Sequence, residues 1–212
     1  MAIVMMLNPT DSLADITGYD LYGEALVGSN GDPNGVPGYD IGTSTSNNSY
    51  GFVTWDGAEE TNFETGAVNF EMDANLWTGT ETLAVTGGTQ SPLTFQTGGS
   101  QTVGSVELVA AAQVPGQVNW SDVAVLFYIN NTLEESASVG TGPQVDTTGS
   151  GSSTTEEQIM VVTPSTNNYN RVVVSGTINM STPDGTIPGP DDLFCQVFIM
   201  PPATQKRPPR QP

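Results

Sequence analysis

Histidine is absent from this chain, and cysteine and lysine occur once each. Each absence removes a class of chemistry. Without histidine there is no Ser-His-Asp or Cys-His arrangement, no imidazole base and no histidine ligand for zinc. The single lysine, Lys206, sits in a Pro-rich tail, so no buried amine is available to form a Schiff base. The single cysteine, Cys195, excludes an intrachain disulfide. Its apolar setting, Leu193 to Met200, reads as a strand and predicts a buried, unreactive thiol. No GxxxxGK[ST] phosphate loop occurs, and Gly87-Gly88 and Gly98-Gly99 read as hairpin turns. No apolar run approaches the roughly 20 residues of a membrane span. The apolar start, Met1 to Leu7, lacks a basic flank, so the expectation is a soluble protein without signal peptide or transmembrane segment.

Positive charge is the next shortage. The bases are Arg171, Lys206, Arg207 and Arg210, against 23 acids. All the acids precede residue 205, so the body carries 23 acids and one base, a net of −22, and the tail carries +3, which gives the total of −19. An acidic body repels phosphate and anionic lipid, which argues against nucleic acid and membrane as partners. The tail, residues 201–212, combines Pro201, Pro202, Pro208 and Pro209 with Lys206, Arg207 and Arg210. Such a segment cannot bury a core of its own, and an acidic surface is its natural resting place.

What the chain has in quantity is glycine (24), proline (15), threonine and valine, with almost no helical patterning. That mixture favours strands and turns. Strands are predicted over residues 50–55, 67–72, 82–85, 93–96, 104–112, 123–129, 158–163, 171–180 and 193–200, with further candidates at 3–7 and 21–27. About nine to eleven strands are enough for two packed sheets, so the expected fold is all-β: an antiparallel two-sheet β-sandwich, jelly-roll-like, with long polar loops and an extended tail. The run Val123 to Ile129 is apolar throughout, as in a strand covered on both faces, and Asn130-Asn131 marks a turn after it. Residues 171–180 alternate, placing Val174, Gly176, Ile178 and Met180 on one face. This strand and the one over 193–200 are expected to pair as antiparallel neighbours. The Gly/Ser/Asn-rich stretches 28–49 and 140–157 read as long surface loops. A single domain over 1–200 is expected, with a break near Pro115-Gly116 as the alternative.

Carboxylates are the remaining route to catalysis. The segment Glu71-Met72-Asp73 resembles the start of the E-x-D-x-x-E strand of laminarinase-type β-sandwich glucanases, though the motif's third acid is missing. The resemblance implies paired carboxylates across a glycan cleft. Alternation puts Glu71 and Asp73 on one face, and acids facing water explain that equally well. Clustered acids and amides suggest Ca²⁺. The candidates are Asn30, Asp32, Asn34 and Asp40, then Asp56, Glu59 and Glu60, then Asp184, Asp191 and Asp192. None completes an EF-hand pattern, so the expectation is no cofactor, with Ca²⁺ as the option to test. Trp55, Trp77 and Trp120 adjoin strands and suit either core packing or stacking against a sugar.

In composition and expected architecture the chain resembles the jelly-roll decoration or cement proteins of tailed phages. That resemblance implies a non-enzymatic virion-surface component. It would form a homo-oligomer, such as a trimer, or bind a major capsid protein, gripping a neighbour through Lys206, Arg207, Pro208, Pro209 and Arg210. The alternative is an extracellular glycan- or surface-binding module.

Overall fold

The structure is a computed structural model. It describes residues 3–7, 23–30, 39–46, 53–61, 67–85, 88–89, 93–94, 102–147, 156–183 and 190–202, and every absence noted below refers to these residues. They form fourteen strands and no helix: β1 (Ile3–Leu7), β2 (Gly23–Asn30), β3 (Tyr39–Ser46), β4 (Val53–Thr61), β5 (Val68–Asn75), β6 (Thr80–Val85), β7 (Gly88–Thr89), β8 (Leu93–Thr94), β9 (Ser105–Ala112), β10 (Gln117–Ile129), β11 (Thr132–Asp146), β12 (Glu156–Thr163), β13 (Arg171–Ser181) and β14 (Pro190–Met200). Among the described residues, no helix is long and apolar enough to cross a membrane.

The strands make two seven-stranded antiparallel sheets. The first runs β1-β12-β9-β14-β2-β3-β4, and the second runs β11-β10-β13-β5-β6-β7, with β8 also on β6. Strands from before and after Pro115 pair within each sheet, as β9 does with β12 and β14, and β5 with β13. One buried cluster draws on both sheets. Leu108, Met160, Leu193, Cys195 and Ile199 come from the first, and Met72, Trp120, Phe127, Val174 and Ile178 from the second. Each fully buried large aliphatic there contributes about 1.5–3 kcal/mol. A smaller cluster, Val109, Ala111, Phe194, Phe198 and Met200, occupies the alternate positions of β9 and β14, so the second face of that strand pair is also largely covered, with Glu107 and Gln196 set among the apolar side chains.

Cys195 is buried, and burial pushes its thiol well above the usual range, in keeping with an inert side chain. Val174, Ile178 and Met180 share the buried face of β13 as the alternation requires.

Four expectations are corrected. The stretch 28–49 is not simply a loop: β2 extends to Asn30, and β3 lies inside the stretch, paired with both β2 and β4. The stretch 140–157 likewise holds the second half of β11 and the start of β12. Ladder hydrogen bonds use backbone groups alone, so Gly/Ser/Thr segments can join a sheet without apolar side chains. β13 and β14 are not neighbours. β13 lies between β10 and β5, β14 lies between β9 and β2, and the connection between them passes from one sheet to the other. Lastly, β10 alternates. Val123, Val125 and Phe127 are buried, while Ala124, Leu126 and Tyr128 are only partly covered.

Candidate binding surface

One end of the second sheet is held together by polar groups. Arg171, the first residue of β13, reaches across the ladder to Asp73 of β5, with Nε donating to Oδ1 at 2.8 Å and Nη2 to Oδ2 at 2.6 Å. Its Nη1 donates to Asn131 Oδ1 at 3.1 Å, and its guanidinium lies over the Tyr128 ring, 4.8 Å from the centroid. The Asp73 hydrogen bonds raise the guanidinium pKa further. The body's lone cation is thus fully engaged within its own sheet. Nearby, Asn130 and Asn131 adopt left-handed backbones (φ 47° and 69°) in a two-residue hairpin between β10 and β11. Asn170 Nδ2 donates to Asn130 Oδ1 at 2.8 Å, and the Asn130 amide donates to Asn170 Oδ1 at 2.9 Å. Glu135 of β11 accepts from the Ser165 amide (3.0 Å) and hydroxyl (2.8 Å). Burial alone would raise the Glu135 carboxyl, but hydrogen bonds, led by the two from Ser165, outweigh it and hold the pKa at about 2.

The β5–β6 turn projects from this same end. Asn75 Oδ1 accepts from the amides of Trp77 and Thr78, both at 3.1 Å, and the Gly79 amide donates back to Asn75 O at 2.9 Å. Gly79 takes φ 69°, which closes the turn. Leu76 is buried, and its amide donates to Asn170 O at 2.9 Å. With both flanks fixed, Trp77 is left 65% exposed. Leu133, opposite Tyr128 on β11, is the other large exposed apolar side chain among the described residues.

Farther along the sheet, β10 is irregular. Asp122 has φ 52°, and the register slips on both sides of it. The bulge sits over Gly176, where an added Cβ would lie 3.2 Å from Ser121 O and from Trp120 Cε3. Beside it an open concavity of about 540 Å³ is lined by Asn69, Glu71, Ala84, Asp122, Ser175 and Thr177. It offers hydroxyls, one amide and two carboxylates to a solvent-borne ligand.

Glu71 and Asp73 do face the same way, toward different surroundings. Asp73 is bound to Arg171, while Glu71 faces the concavity. Of the three tryptophans, Trp120 is core, Trp77 is exposed, and the Trp55 side chain lies outside the described residues. The Ca²⁺ candidates are brought partly together by topology. Asp40 of β3 registers with Glu60 of β4 and Gly28 of β2, and Asn30 registers with Pro190, next to Asp191 and Asp192. Asp32, Asn34 and Asp184 lie outside the described residues, which hold no group of three or more carboxylates or thiols suited to a metal. The Asp192 carbonyl accepts from the Gln113 amide at 2.7 Å. Of the tail, only Pro201 and Pro202 are described. They cross Gly104, where a Cβ would come within 2.2 Å of Pro201 O. Lys206, Arg207, Pro208, Pro209 and Arg210 lie outside the described residues.

Sequence reasoning read Asn131 only as a turn residue and did not single out Tyr128 or Leu133. The Asn130-Asn131 turn was their one visible signal. Compared with known proteins, the chain matches no protein-family model and no curated protein.

Proposed function

We propose that this is a non-enzymatic assembly protein, of the virion-surface decoration or cement type, that associates with neighbouring subunits through its basic Pro-rich tail. In this reading the two sheets, which share one buried cluster, pack face to face as a jelly-roll-type sandwich. The observation that carries the reading is the segregation of charge. The body's one cation is tied to Asp73, Asn131 and Tyr128, so the three tail cations are the only ones left to reach an acidic partner. A Pro-rich segment favours the extended PPII form and loses little entropy on docking. Light scattering on full-length protein and on protein ending at Pro202 tests this. The expected result is an oligomer that weakens on truncation and in high salt, with little change in melting temperature. Association unchanged by truncation would refute it.

A second reading, an extracellular glycan- or surface-binding module with Ca²⁺ stabilisation as the option to test, is favoured by one observation: Trp77 is held exposed on a fixed turn, as in a sugar-stacking platform. Glycan binding that disappears in Trp77→Ala would support it.

A further inference from the structure

We propose that the β5–β6 turn bearing Trp77, with Leu133 and the acids beside it, is the surface that receives the basic tail of a second copy of this chain. This inference rests on the assembly reading above and names the acceptor that it requires.

Three observations converge on this surface. The first is the tryptophan. A large apolar side chain left in water usually sits in a mobile setting, yet Trp77 stands on a turn fixed by Asn75 and by the Leu76–Asn170 hydrogen bond. A preorganised, exposed indole flanked by satisfied polar groups has the form of an interface anchor. The second is charge. Asp73 and Arg171 cancel, while the exposed Glu134, next to Leu133, adds negative charge at this end. Lys206, Arg207 and Arg210 complement that sign, and Pro208-Pro209 offers flat rings to an aromatic face. The third is the point of departure. The Gly104 amide donates to Met200 O at 2.8 Å, the Val103 amide to Tyr169 O at 2.8 Å, and the Leu76 amide to Asn170 O at 2.9 Å. Pro202, the last described residue, therefore lies near the loop that supports Trp77. Residues 203–212 in PPII form span about 31 Å, enough to cross onto an adjoining copy whose corresponding end faces this one. A tail that leaves from, and docks at, the same end makes the contact reciprocal, as a two-fold or other closed assembly requires.

The test uses full-length chains: wild type, Trp77→Ala, the charge variant Lys206→Glu/Arg207→Glu/Arg210→Glu, and the combination. Each is followed by light scattering across a concentration series, with thermal melts to verify folding. The expected result is that Trp77→Ala and the charge variant each raise the dissociation midpoint at least tenfold at unchanged melting temperature, and that the combination is no worse than the charge variant alone. If the charge variant dissociates while Trp77→Ala stays assembled, the acceptor lies elsewhere and the assembly reading survives. If Trp77→Ala dissociates while the charge variant stays assembled, Trp77 anchors some other contact and the tail docking is overturned. A wild type that is monomeric throughout, or that assembles unaffected by either change, overturns both the inference and the reading it rests on.

Discussion

Trp120 and Trp77 belong to the same sheet, but the regions around them are built on opposite principles. Trp120 is fully buried, its ring edge-on to Phe70 at 5.0 Å and 86°, with Nε1 donating to Val109 O of the opposite sheet at 3.0 Å. Its space is cut by two glycines. An added Cβ at Gly142 would lie 2.6 Å from Trp120 Cβ, and one at Gly176 would lie 3.2 Å from Cε3. The turn of Trp77, by contrast, is braced by carboxylates and amides: Asp73 on Arg171, Glu135 on Ser165, and Asn130 on Asn170. The middle of the sheet spends its aromatic on cohesion. The end secures itself by hydrogen bonds and leaves its aromatic free for contact.

The widest gap between the regions is expected from matched truncations. Trp120→Ala should cost about 3–5 kcal/mol in denaturant unfolding, because it empties a dry site and removes the Nε1–Val109 hydrogen bond. Comparable losses at Trp77 would break the contrast. Gly142→Ala tests the tightness of the Trp120 site from the other side, with a loss of about 1–3 kcal/mol by overpacking. Glu135→Gln probes the polar end. The carboxyl is held at about 2, below its ordinary value, so its contribution is present above roughly pH 4.5 and is lost as pH falls through 2. The variant should be about 1–3 kcal/mol weaker at pH 7 and should approach wild type near pH 2. The Trp120→Ala deficit should not follow that pH dependence. The smallest effect belongs to Trp77→Ala, within about 0.5 kcal/mol of wild type at any pH.

Much of this architecture was legible in the chain. Val/Ile/Phe runs with turn residues between them located β5, β9, β10, β12, β13 and β14, since apolar side chains on a pleated surface leave a periodic trace. β3 and β11 left little trace. Their residues, such as Gly42, Thr43 and Ser44 or Ser136, Ser138 and Gly140, are placed by backbone pairing, which any side chain permits. The separation of β13 from β14 was also hidden, because adjacency in sequence favours a hairpin while the choice of sheet depends on packing partners elsewhere. For the candidate surface, Asn130-Asn131 announced a turn, and the acids of β5 announced their outward face. The opposite fates of Trp77 and Trp120 were not readable, since each borders a strand and only tertiary packing decides which is covered.

β11 carries one more implication. It stands at the margin of its sheet, where an uninterrupted row of free amides and carbonyls would invite a foreign strand. That row is broken. Pro143 has no amide hydrogen, Gly140 turns left-handed at φ 73°, the ladder slips repeatedly, and the Gln144 amide donates to the Gln158 side chain at 3.2 Å. Molecules crowded together at high local density would therefore resist stacking into fibrils along this margin.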